Sequence, residues 1–134
     1  MTETEQNKKL AFFTPKMSPE SGEWLGVQKK ISGQMKAFQR LGFRVELFTF
    51  TPYRSGGNRL IDLYRNASHT RREYLRCLEQ MREFQPDALY IRYSFADSHF
   101  IHFLQHLRKK LGATLPICLE IATYPYDNEL RSLR

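Results

Sequence analysis

Residues 8–51, KKLAFFTPKMSPESGEWLGVQKKISGQMKAFQRLGFRVELFTFT, decide the fold predicted for this chain. The apolar run 10–13 (LAFF) and the alternating run 45–50 (VELFTF) are typical of strands. Between them, apolar residues recur at spacings of three and four, on one face of a helix: Val27, Ile31, Met35, Phe38 and Leu41. Gly42 ends this helix. A strand, a helix and a strand in this order predict a βαβ unit with parallel strands and a right-handed crossover.

The rest of the chain continues the alternation of strands and helices. Segments 88–91 (ALYI) and 117–121 (ICLEI) have strand patterns, and 59–64 (RLIDLY) has a weaker one. Helices are predicted over 70–85, which opens on the capping-box pattern TRRE, and over 97–111. This alternation predicts an α/β fold of the Rossmann-like type, a three-layer structure in which a parallel sheet has helices on both faces.

Length and composition indicate one globular domain. The chain has 134 residues, 26% of them charged and 13% aromatic, which is enough for one domain with a core. Residues 1–7 are predicted to be a disordered tail, followed by a domain over 8–134. No apolar run approaches the ~20 residues of a membrane span, and the N-terminus is not a secretory signal. Cys77 and Cys118 lack metal-ligand spacing, so we expect buried thiols in a reducing compartment, the cytoplasm.

The charge of the chain implies an anionic partner. The formal net charge is +7, which attracts phosphorylated molecules, anionic lipid and nucleic acid alike. Seven arginines lie between Arg54 and Arg82, interleaved with tyrosines. They fit a solvated basic face, or a patch that binds an anionic membrane surface. No recognised nucleic-acid-binding motif accompanies them, so nucleic acid is not expected as a partner.

Ligands of parallel sheets bind at the carboxyl ends of the strands, so the loop over 14–27 is the first candidate site. It contains neither a Walker A motif nor a GxGxxG motif. Gly26 would let backbone amides at the helix start approach an anion, and Lys29 or Lys30 would add positive charge. Taken alone, however, Gly26 fits a turn better than a ligand site.

Arg92 and Glu120 are charged residues near the carboxyl ends of apolar strands. An unpaired buried charge is costly, so we expect these two side chains to form a salt bridge at the edge of the ligand crevice. The loop 123–127 (TYPYD) follows. Its aromatic, hydroxyl and acidic groups suit sugar binding, and they suit ordinary loop packing almost as well. Three histidines share a helical face at 99, 102 and 106, but no cysteine or carboxylate completes a metal site there, so no metal is expected.

Four segments carry a resemblance to a known family: 26–31 (GVQKKI), 41–45 (LGFRV), 86–93 (PDALYIRY) and 120–129 (EIATYPYDNE). They resemble the N-terminal domain of GT-B glycosyltransferases, in particular family 4-like enzymes of bacterial polysaccharide synthesis. The resemblance covers residues 9–129. It implies two Rossmann-like domains that face each other across a cleft, the first holding the acceptor and the second the nucleotide-sugar.

The resemblance implies a retaining hexosyltransferase that needs no metal and no cofactor besides the nucleotide-sugar co-substrate. Its acceptor would be a glycan or a lipid-linked molecule, and it would work in the cytoplasm, in part at the inner face of the membrane. We expect this chain to be a fragment that lacks the C-terminal donor-binding domain and is inactive alone. The residues expected to bind donor phosphate or acceptor are Gly26, Lys29, Arg92, Tyr93, Glu120, Thr123, Tyr124, Tyr126 and Asp127. Many family members carry a histidine near the position of Thr123, and this chain has none there.

A standalone flavodoxin-like module that binds a ligand or nucleotide is the alternative. A receiver-like module is disfavoured, because Thr14-Pro15-Lys16 stands where it would need clustered acids.

Overall fold

The computed structural model of the chain describes residues 8–16, 24–53, 56–93 and 97–121. The predicted tail over 1–7 lies outside the described residues. The elements are β1 (Lys9–Pro15), α1 (Trp24–Arg40), β2 (Arg44–Phe50), α2 (Arg59–Phe84), β3 (Ala88–Arg92), α3 (Ser98–Leu111) and β4 (Ile117–Glu120).

The four strands form one parallel sheet in the order β2-β1-β3-β4. This confirms the predicted α/β fold with a parallel sheet. β1 lies between β2 and β3, and its central residues are buried, which explains why its sequence is a continuous apolar run. β2, the second strand of the predicted βαβ unit, is at the edge of the described sheet.

Helices cover both faces of the sheet, as predicted. On one face, Phe12 of β1 packs against Phe38 of α1, with ring centroids 6.5 Å apart. On the other face, Phe13 lies 5.0 Å from Phe103 of α3 and 6.3 Å from Tyr74 of α2. Successive residues of a strand point to opposite faces, so β1 contributes side chains to the cores on both faces.

The prediction for α2 was wrong at its start. The helix begins at Arg59 and not at Thr70, and the predicted strand over 59–64 forms its first turns. Asn58 is the N-cap, and its side chain accepts a hydrogen bond from the backbone N–H of Ile61, which satisfies one of the free donors of the first turn. Thr70 lies inside the helix, where its hydroxyl donates to the Asn66 side chain.

The two cysteines differ in exposure. Cys77 on α2 is fully buried, as expected, whereas Cys118 on β4 is exposed, so the prediction of two buried thiols was wrong for Cys118. The cause is the position of β4 at the edge of the described sheet. Burial also raises the pKa of the Cys77 thiol to about 11.

We therefore expect a thiol reagent to modify only Cys118 in the folded chain. Cys77 should react only after unfolding, because burial blocks access and disfavours its thiolate. Counting modified thiols by mass spectrometry, in native buffer and in urea, checks this. The variant Cys118→Ser should show no rapid modification in native buffer, and rapid modification of that variant would contradict the prediction.

Candidate functional site

The salt bridge predicted between Arg92 and Glu120 is present in the structure. The two residues are direct partners in the register of β3 and β4, at the carboxyl ends of both strands. Arg92 Nε lies 3.8 Å from Glu120 Oε1, and the side chains are only 13% and 19% exposed. The contact is an ion pair and not a hydrogen bond, since Arg92 Nε is buried without a hydrogen-bond partner.

Three further side chains surround the Glu120 carboxylate. Its Oε2 atom accepts hydrogen bonds from Tyr90 Oη at 2.6 Å and from Gln34 Nε2 at 2.9 Å. Its Oε1 atom lies 3.7 Å from Lys30 Nζ. Together these five residues are called the Glu120 cluster, which joins α1 to the carboxyl ends of β3 and β4: Lys30, Gln34, Tyr90, Arg92 and Glu120.

The surroundings of Glu120 favour its ionised form. Partial burial acts to raise its pKa, but hydrogen bonds from Tyr90 and Gln34, and the charges of Arg92 and Lys30, outweigh burial and lower it. Burial, with the hydrogen bond to Glu120, raises the pKa of the Tyr90 hydroxyl. At neutral pH the cluster therefore presents a fixed carboxylate that accepts hydrogen bonds. A group of this kind suits binding and positioning better than proton transfer near pH 7.

The lowered pKa of Glu120 predicts a specific loss of stability in acid. A carboxyl group whose pKa is lower in the folded state contributes stability above its ordinary pKa of 4.5, and this contribution is lost as the pH falls through the folded value. We expect Glu120→Gln to flatten the fall in unfolding free energy between about pH 6 and about pH 3. Urea unfolding across this range measures the effect.

Glu79→Gln is the matched control, because it removes an exposed carboxylate from α2 and should follow the curve of the parent chain. If the Glu120→Gln curve runs parallel to the parent curve, Glu120 does not carry the acid dependence.

The other residues predicted for the site fall into three groups: two on α1, one on the opposite face of the sheet, and four outside the described residues. Gly26 lies in the first turn of α1 and not in a loop, and a Cβ atom there would meet nothing within 4 Å. Lys29 is exposed, and it is Lys30 that reaches Glu120. Tyr93 packs on the opposite face of the sheet, 4.7 Å from Phe100 and 5.6 Å from Phe50. The third group, Thr123, Tyr124, Tyr126 and Asp127, lies outside the described residues.

Sequence reasoning singled out neither Gln34 nor Tyr90. The sequence did contain a signal for Tyr90 as a site residue, because Tyr90 lies two residues before Arg92 and therefore on the same face of β3. Gln34 had none, since its contact with Glu120 depends on the path that α1 takes across the sheet.

A groove of about 570 Å³ lies between α2 and α3, outside the Glu120 cluster. The three histidines noted in the sequence line it, together with Arg71 and an apolar floor that includes Leu78 and Phe103. Within the described ranges, no three histidine, cysteine or acidic side chains come together in a way that could hold a metal ion. Nor is any helix in this part of the chain long and apolar enough to cross a membrane.

The fold and the cluster together define a Rossmann-like α/β domain with a polar cluster at the carboxyl edge of its sheet. Comparisons with protein-family models, with curated proteins and with solved structures give no match to this chain.

Proposed function

We propose that this chain is the acceptor-binding N-terminal part of a retaining glycosyltransferase. The full enzyme would move a sugar from a nucleotide-sugar donor to a glycan or lipid-linked acceptor, in the cytoplasm and at the inner face of the membrane. The observation that carries the proposal is the Glu120 cluster, with its ionised carboxylate held at the carboxyl edge of a parallel sheet.

The position of the cluster supports a binding role. In open parallel sheets, ligands bind in the crevice where successive connections leave the sheet on opposite faces. Here α1 leaves β1 for one face and α3 leaves β3 for the other, while β1 and β3 are neighbours. The crevice therefore opens at the carboxyl ends of β1 and β3, beside Arg92 and Glu120.

The chemistry of the cluster favours a polyhydroxylated ligand. Two of its atoms are buried without a hydrogen-bond partner: Gln34 Oε1, an acceptor, and Arg92 Nε, a donor. A hydroxyl group both donates and accepts, so hydroxyl groups admitted by a side-chain shift would satisfy an atom of either kind. The Glu120 carboxylate would accept a hydrogen bond from a second hydroxyl. Sugar hydroxyls meet these requirements.

The donor would be bound by a second Rossmann-like domain on the other side of the crevice. A single domain offers one wall of that crevice, which gives neither the exclusion of water nor the positioning of two substrates that transfer requires. The proposal includes no resident metal or cofactor, and the nucleotide-sugar is a co-substrate. We therefore expect acceptor binding by this chain, and transfer only when it is extended through the downstream reading frame.

The test is saccharide binding by the chain itself, followed in NMR spectra during titration with a panel of oligosaccharides. We expect dissociation constants on the order of 1 mM, about −4 kcal/mol, and a loss of at least about tenfold in Glu120→Gln, since a charged acceptor is lost. Glu79→Gln is the control and should bind as the parent does. Absence of binding, or equal binding by both variants, would contradict the proposed site.

A standalone flavodoxin-like module is the second candidate, and the strand order favours it. The order β2-β1-β3-β4 matches the first four strands of the flavodoxin-like order 2-1-3-4-5. Free mononucleotides and flavin mononucleotide therefore belong in the same titration. Micromolar binding of these compounds, without saccharide binding, would favour the second candidate.

A further inference from the structure

The first half of α2 extends beyond the sheet. α2 has 26 residues, about 39 Å at ~1.5 Å per residue, whereas the longest strands have 7 residues, about 23 Å. Because α2 follows β2 and runs back along the sheet, it begins at the carboxyl edge. Its buried residues all lie in the second half, from Tyr74 to Phe84. The part over 59–72 is called the α2 overhang.

The α2 overhang carries large apolar side chains that no described residue covers. Leu60 is 82% exposed, Tyr64 78% and Leu63 71%. Their spacing of three and four places them on one face of the helix, and the same face continues into the buried residues Tyr74 and Leu78. An apolar stripe that continues a core face into solvent is typical of an interaction surface.

The α2 overhang is also strongly basic. It carries the exposed residues Arg59, Arg65, Arg71 and Arg72, and its one acidic residue is Asp62. The Asp62 carboxylate accepts hydrogen bonds from Tyr53 Oη at 3.0 Å and from the backbone N–H groups of two loop glycines, at 2.8 and 3.1 Å. The charge that the overhang presents to a partner therefore comes from arginine.

We infer that the α2 overhang is a docking surface for an anionic membrane. Its apolar stripe would enter the boundary between head groups and acyl chains, while Arg59, Arg65 and Arg72 beside the stripe contact lipid phosphates, as in helices that lie in the membrane interface. The inference rests on the overhang alone and does not depend on sugar transfer.

Two other occupants fit the overhang less well. A second copy of the chain in a symmetric dimer would place the same arginines against each other. Nucleic acid would account for the arginines through phosphate contacts, but it would leave Leu60 and Leu63 in water. An anionic bilayer accounts for both the charge and the apolar stripe.

The experiment is co-sedimentation of the whole chain with vesicles, without saccharide or nucleotide. One set contains only phosphatidylcholine, and the other contains about one third phosphatidylglycerol. We expect binding to the anionic vesicles, weakened by salt, and little binding to the neutral ones. Each arginine near the surface contributes about fivefold to binding, so Arg65→Gln with Arg72→Gln should lose roughly 30-fold. Leu60→Ser with Leu63→Ser should lose at least about tenfold.

Matched controls lie on the same chain at the opposite edge of the sheet. Lys109→Gln with Lys110→Gln removes the same charge from the end of α3, and Leu41→Ser removes a leucine that is 74% exposed. Both controls should bind anionic vesicles as the parent does. Circular dichroism melting curves check that every variant is folded.

Three outcomes would overturn the inference. The first is no preference for anionic vesicles, and the second is an equal loss of binding in the controls. The third is that the chain does not bind vesicles and instead binds a single-stranded RNA probe or forms a dimer in sedimentation velocity. Because the assay contains no sugar, a failed glycosyltransferase proposal would leave its result unchanged.

Discussion

Replacing Phe13 with alanine should lower the free energy of unfolding by about 3–5 kcal/mol, the usual cost of removing a buried phenylalanine. Phe13 is fully buried, and its ring lies 5.2 Å from Phe50 and 5.0 Å from Phe103. It thus joins β1 to β2 and α3 at the centre of the larger core. The cavity left by alanine would remove contacts with both elements, and the surrounding rings cannot collapse fully into it.

Urea unfolding measures this loss, and Leu25→Ala is its control. Leu25 is 64% exposed, so its replacement should change stability by about 0.5 kcal/mol or less. A loss below about 1 kcal/mol in Phe13→Ala would mean that the core on this face packs differently.

Replacing Arg92 with methionine should cost about 2–3 kcal/mol. Breaking a fully buried ion pair costs about 3–5 kcal/mol, because the remaining charge is left without its partner. The Arg92–Glu120 pair is 13% and 19% exposed, and Lys30 also faces Glu120, so we expect a smaller loss. Methionine keeps much of the apolar volume, which confines the change to the charge.

A double-mutant cycle with Glu120→Gln isolates the pair. The double variant should be more stable than the sum of the two single losses predicts, by about 1–2 kcal/mol. The pair Glu73–Arg76 offers a comparison in which the carboxylate is 19% exposed, as in Glu120, but the arginine is 45% exposed. Because this arginine lies closer to water, the pair should couple by about 1 kcal/mol or less. A zero coupling energy between Arg92 and Glu120 would show that their proximity contributes no stability.

Most of the fold could be predicted from the sequence because burial imposes a regular pattern on it. β1 is buried on both faces and forms a continuous apolar run, and α3 buries Phe100, Phe103 and Leu107 at helical spacing. The start of α2 could not be predicted in the same way. The apolar residues of 59–64 have no covering partner among the described residues, so they fitted a strand pattern as well as a helix pattern. The TRRE pattern then predicted a helix start at Thr70, whereas the structure places the N-cap at Asn58.

The sequence predicted the charged pair of the candidate site, but it did not predict the side chains that contact this pair. Arg92 and Glu120 stand out because charged side chains are rare at the ends of apolar strands, and parallel register then brings them together. Lys30 and Gln34 come from a helix whose crossing position no local pattern encodes. The sequence therefore left Lys29 and Lys30 as alternatives, and it is Lys30 that faces Glu120. Tyr93 directly follows Arg92, and successive residues of a strand point to opposite faces of the sheet. Tyr93 therefore lies on the face away from Glu120.

The α2 overhang and the Glu120 cluster lie at the same edge of the sheet, the one where the strands end. A domain that rests on a bilayer through the overhang would turn this edge toward the lipid head groups. Its search for an acceptor embedded in the same leaflet would then be lateral and confined to two dimensions. In that arrangement a weak intrinsic affinity for the acceptor suffices, because confinement to the surface raises its effective concentration.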